Sequence, residues 1–155
     1  TVTDIDAERI QRVVDDFGAT PVEPDAIYDV DADVFAPCAL GAVVNDDTLG
    51  RFSFDIIAGA ANNVLARADV HGPALADKGI LYAPDYVINA GGVINVDGEI
   101  HGWTAARAKK KAGEIYETLI RILELAKADG TDTNAAATRV AQQRVEQVRH
   151  LQRTF

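Results

Sequence analysis

Apolar and polar positions follow two regimes along this chain, and the change between them falls near residue 104. Ahead of it, short apolar runs are separated by stretches with helical spacing. Residues 1–3 read as extended and end at Asp4. Asp6 is placed to cap a helix whose apolar positions Ile10, Val13, Val14 and Phe17 recur at helical spacing until Gly18 stops it. A short strand at 20–22 and a turn at 23–25 follow. The next strand, 33–38, opens into LGAVVNDDTLG; a helical turn over 46–52 leads to a buried strand at 54–58, then a short helix at 74–78 and a strand at 80–83. Strands separated by helices of this length predict right-handed βαβ units in an α/β parallel sheet. A chain that opens directly on a strand is expected to be a cut through a larger fold.

Beyond residue 104 the pattern predicts two long helices, 104–129 and 133–151, separated at Gly130, with Ile115, Leu119, Ile122, Leu123 and Leu125 on one broad stripe. With no internal repeat or low-complexity segment, the chain reads as one structural domain, residues 1–103, with a helical extension over 104–155. The basic run 107–111 reads as a solvated helix face. One stretch fits neither regime. APDYVINAGGVINV, residues 83–96, would be an amphipathic helix but for Gly91 and Gly92, each of which weakens a helix interior by about 1 kcal/mol relative to alanine.

Composition narrows the function classes. The chain is 48% apolar, enough for one domain with a real core. Its net charge of -9 argues against nucleic-acid and anionic-membrane partners, whose phosphates it would repel. No apolar run approaches the roughly 20 residues of a membrane span, and the first residues lack a secretory pattern, which leaves the cytoplasm as the expected compartment. A lone cysteine, Cys38, and three scattered histidines suggest neither a disulfide nor a structural metal.

Ligands of doubly wound sheets gather at the carboxyl ends of strands, and here those ends carry Asp4, PCALG (37–41), AGAANN (58–63) and the PDYVINAGG segment. Small residues at three of them would let a flat ligand approach the backbone. Each residue also has a plainer reading. Asp4 or Asp6 could simply cap a helix. Asn62 and Asn63 could satisfy a turn, although a carboxamide, donor and acceptor at once, also suits a carboxylate, an amine or a cofactor amide. Gly91 and Gly92 could allow tight helix packing, and Val93 and Val96, three apart on one helix face, could be core. Cys38 has no recognisable histidine partner for nucleophilic chemistry.

FAPCALGAVVND, IIAGAANNVL and GILYAPDYVINAGGVINV together resemble the C-terminal part of the amino-acid dehydrogenases acting on leucine, valine and phenylalanine, within the glutamate dehydrogenase superfamily. The likeness runs from Thr1 to about Gln147. It implies a Rossmann-like doubly wound sheet, of which this chain is the second portion, with the glycine-rich pyrophosphate turn and the catalytic domain lying outside it. It further implies NAD as cofactor, with Asp4 on a ribose hydroxyl, Cys38, Ala39 and Leu40 beside the nicotinamide ribose, and Asn89 on the nicotinamide carboxamide. Gly91 and Gly92 would then clear space for the ring. Asn63 is implied to contact the substrate, with Val93 and Val96 lining its side-chain pocket. The implied reaction is reversible oxidative deamination of a branched-chain or aromatic L-amino acid to a 2-oxo acid and ammonium. Its acid–base lysines belong to the missing N-terminal domain, so no catalytic residue is assigned to this chain, which alone is expected to be inactive. Homo-oligomerisation is also implied. The rival reading is a free-standing nucleotide-binding or regulatory module.

Overall fold

A computed structural model describes residues 1–153; residues 154 and 155 of the expected helical extension lie outside the described residues. Three parallel strands, β1 (Val34–Phe35), β2 (Ile56–Ile57) and β3 (Leu81–Tyr82), form a sheet in the order β1-β2-β3. Val2 pairs in parallel with Pro21, separately from that sheet. Around these lie α1 (Ala7–Phe17), α2 (Ala68–Asp77), α3 (Asp85–Ile88), α4 (Gly91–Ile100), α5 (Ala105–Asp129) and α6 (Thr133–Arg153). The α/β class and the helical C-terminal region are as the pattern predicts.

Capping fixes both ends of α1 and of α5. The Asp6 carboxylate accepts from the amides of Glu8 and Arg9 at the start of α1, and left-handed Gly18 closes it. Thr104 Oγ1 accepts from Arg107 N–H, and Gly130 ends α5 at φ 61. The strands are shorter than their apolar runs. Proline explains two of the ends: Pro37 after β1 and Pro84 after β3 have no N–H with which to continue a ladder.

Four elements depart from the pattern. The expected turn at 23–25 is a 3-10 helix over Pro24–Asp29, and the expected helical turn at 46–52 contracts to a 3-10 helix, Leu49–Arg51. The helix expected at 74–78 begins at Ala68 and carries Pro73 inside it. Burial overrides the helix-breaking sequence there: His71 and Leu75 are fully buried, and Gly72 packs so closely on the loop before α6 that a Cβ would lie 2.8 Å from Asp132 Oδ1. The 83–96 run, finally, is two helices. Gly91 and Gly92 open α4 and do not interrupt a longer helix, so the interior penalty expected for them does not apply.

The core is in two parts. Phe35, Phe52 and Phe54 cluster with Ile57 and Leu75 beside the sheet, Phe35 and Phe54 stacking at 4.9 Å between centroids. A smaller cluster of Ile122, Ala126, Ala136 and Ala137 joins α5 to α6 and takes in Val87 of α3. Among the described residues no helix is long and apolar enough to cross a membrane.

Candidate functional site at the carboxyl ends of the strands

Past the sheet, the segments leaving β1 and β2 continue side by side. Ala61 N–H donates to Pro37 O (2.9 Å), Ala42 N–H to Asn63 O (2.7 Å), Val44 N–H to Val64 O (3.0 Å) and Ala66 N–H to Val44 O (2.9 Å). Two glycines permit this approach. A Cβ on Gly59 would overlap the Pro37 carbonyl oxygen and lie 2.6 Å from its nitrogen, and one on Gly41 would lie 2.5 Å from Asn62 O. These small residues thus bring two loops together, which differs from the expectation that they open the backbone to a ligand. Asn63 (φ 52) and Ala42 (φ 57) both adopt the left-handed region, at about 1–3 kcal/mol each. The Ala42–Asn63 hydrogen bond joins the two strained residues directly.

The third segment meets this pair through Asn89. Its amide nitrogen donates to Asn62 Oδ1 (2.6 Å) and to Ala61 O (3.3 Å). A main-chain carbonyl can only accept, so the Asn89 NH2 must face it, and Asn89 Oδ1, with no hydrogen-bond partner among the described residues, can accept from another group. Beyond lie Gly91 and Gly92, where an added Cβ would meet nothing within 4 Å. Among the described residues, tight helix packing is therefore not what these glycines serve. Val93 and Val96, 67% and 54% exposed, are not core valines.

Cys38 and Ala39 are exposed beside this cluster, with Leu40 79% exposed. The imidazoles of His71 and His101 are engaged elsewhere, with Arg67 and Asp46 and with Asp97. Asp4 stands apart. Its carboxylate accepts from Asp6 N–H at 3.0 Å, and capping of α1 falls to Asp6.

Two buried polar residues are not singled out by the sequence, Asp85 at this cluster and His71 away from it. Asp85, 6% exposed, accepts from Val64 N–H (2.7 Å) and Tyr86 N–H (2.6 Å), while its own N–H donates to Tyr82 Oη (3.1 Å). Burial raises the Tyr82 phenol well above its ordinary range. His71, 1% exposed, accepts from Arg67 N–H at Nδ1 (3.0 Å), which puts the proton of the neutral ring on Nε2, 3.2 Å from Asp46 Oδ1. Bonds from His71 and then Arg67 lower the Asp46 pKa. An acid directly after a proline at a helix start was the available signal for Asp85. Nothing local marks His71.

A family model described as Glutamate/Leucine/Phenylalanine/Valine dehydrogenase matches residues 2–153. The chain is 51% identical over 154 residues to a leucine dehydrogenase of Thermoactinomyces intermedius, covering 99% of this chain and 42% of that protein. It is 50% identical over 131 residues to a valine dehydrogenase of Streptomyces coelicolor, covering 80% and 36% respectively. Among solved structures, the L-tryptophan dehydrogenase of Nostoc punctiforme superposes with a TM-score of 0.92 at 49% identity, covering 96% of this chain and 45% of that one. The chain thus spans less than half the length of the relatives it matches.

Proposed function

Because the chain belongs to the Glutamate/Leucine/Phenylalanine/Valine dehydrogenase family, we propose that it is the NAD-binding portion of an L-amino-acid dehydrogenase that reversibly deaminates a branched-chain or aromatic L-amino acid. The observation that carries this reading is the open floor at Gly91 and Gly92 beside an asparagine whose oxygen has no hydrogen-bond partner among the described residues. An aromatic ring can lie over that floor, and the Asn89 Oδ1 can accept from its carboxamide. When bound, the nicotinamide supplies the acceptor for the hydride leaving the amino-acid α-carbon; water then displaces nitrogen to give the 2-oxo acid and ammonium.

The work of this chain in that reaction is orientation. Asn89 fixes the cofactor carboxamide, Cys38 and Ala39 border the adjoining ribose, and Asp4 accepts from the other ribose and disfavours a 2′-phosphate. Asn63 binds the substrate, whose side chain lies along Val93 and Val96. Proton transfer belongs to residues outside this chain, so the chain alone is inactive. Residues 1–103 act as the nucleotide-binding portion and the helices beyond 104 pack back toward the catalytic domain of a cytoplasmic homo-oligomer.

The test is an assay of the full-length protein with L-leucine, L-valine, L-phenylalanine and L-tryptophan, with NAD and NADP in parallel. Reduction of NAD in preference to NADP with at least one of them is expected, and Asp4→Ser should narrow that preference. Absence of turnover with all four would overturn the reading. The module alternative would gain from tight NAD binding by this chain alone, because half of the pyrophosphate site lies outside it.

A further inference from the structure

The peptide group between Asn63 and Val64 is gripped at both ends. Its carbonyl accepts from Ala42 N–H and its N–H donates to the buried Asp85 carboxylate. Both bonds hold the peptide that follows the left-handed Asn63. The same aspartate reaches the other asparagine through its main chain: Asp85 O accepts from Asn89 N–H at 2.9 Å, at the end of α3. Asn89 in turn donates its side chain to Asn62 Oδ1 and Ala61 O, closing a ring of bonds that runs Asp85, Val64, Asn63, Asn62, Asn89 and back to Asp85.

We propose that Asp85 is a positioning residue for the dehydrogenase reaction, setting the Asn63 turn through its side chain and the Asn89 end of α3 through its main chain, so that both carboxamides keep one mutual geometry. This rests on the reading above that those asparagines meet substrate and cofactor. A carboxylate is required because two amides, of Val64 and Tyr86, donate to its two oxygens separately. An asparagine has one acceptor oxygen, and its NH2 would face one of those donors. Where that NH2 faces the Val64 N–H, the peptide after the left-handed Asn63 loses one of its two anchors.

The experiment is a double-mutant cycle in the full-length enzyme, with Asn63→Ala, Asp85→Asn and the pair. It reads kcat/KM for the preferred amino acid per folded molecule, with melting temperature in parallel. Each single change is expected to lower kcat/KM by roughly ten- to a hundredfold. The pair should fall no further than the worse single change, to within about twofold, because both remove the same contact. If Asn63→Ala is damaging and Asp85→Asn is silent, or the two losses multiply, Asp85 does not act through Asn63 and the proposal fails alone. If Asn63→Ala is silent, the substrate role of Asn63 fails and takes the proposal with it. Should Asp85→Asn not fold, Asp85→Ser runs the same cycle, its hydroxyl one bond shorter than the carboxylate that accepts from Val64 and Tyr86.

Discussion

The loops beyond the strands and the α5–α6 hairpin are ordered by opposite means. The hairpin runs on local repetition. Twenty-five residues of α5 bond mainly to one another, capped by Thr104 and Gly130, and a small cluster around Ile122 and Ala136 together with the Arg139–Asp129 ion pair ties α5 to α6. The strand-end loops contain almost no repeating structure, since each strand is two residues long. They are held by individual bonds between residues far apart in sequence, such as Val64 to Asp85 and Asn89 to Ala61. Regular structure tolerates changes in single residues. A set of one-off contacts has no such redundancy, but it can hold strained conformations such as those of Asn63 and Ala42.

Glycine offers the most forceful way to break this contrast. In the loops, Gly59→Ala would press a methyl into the Pro37 main chain, which cannot yield as a flexible side chain would. We expect a loss of about 3 kcal/mol or more, read as a lowered denaturation midpoint in urea; an unchanged midpoint would mean the two loops do not depend on close approach. In the hairpin, Gly113 sits inside α5 with nothing within 4 Å of a built Cβ. There Gly113→Ala should stabilise by about 0.5–1 kcal/mol, by the same measurement.

Electrostatics gives a smaller effect. Arg51 bonds both Asp25 and Asp29, stacks over Tyr28, and lowers both carboxylate pKa values chiefly through those hydrogen bonds. A depressed folded-state pKa contributes stability above the ordinary carboxylate value of 3.8 and loses it as pH falls through the lowered value. Arg51→Met should therefore lower the melting temperature slightly at neutral pH, and the gap to the parent protein should shrink on acidification below 3.8. A gap independent of pH would assign the Arg51 contribution to its packing on Tyr28.

The same contrast explains what could be read from sequence. Helices α1 and α5 were legible because their apolar positions agree with the cap Asp6 and with the stops Gly18 and Gly130. The beginning of α2 was hidden because Gly72 and Pro73 oppose a helix locally, and burial of His71 and Leu75 decides otherwise. Asn62, Asn63, Asn89 and the glycine pair stood out as unusual chemistry at strand ends, and the structure brings Asn62 and Asn89 into direct contact. Asp85 did not stand out, because its importance lies in a bond to a main-chain amide distant in sequence. Gly41 and Gly59 were legible as unusual but not as loop spacers, since the backbone they face comes from another segment.

The two margins of the small sheet are finished differently. On the β3 side, Thr133 Oγ1 donates to the outward Tyr82 carbonyl at 2.6 Å, so the first residue of α6 seals that edge. On the β1 side, Asp33 and Phe35 turn their carbonyls toward β2, which leaves Val34 facing outward, 49% exposed, with no strand beyond it among the described residues. An unsealed margin pairs with any extended segment that reaches it. A margin left open in this way is a template on which a second molecule can pair, edge to edge, through main-chain bonds alone.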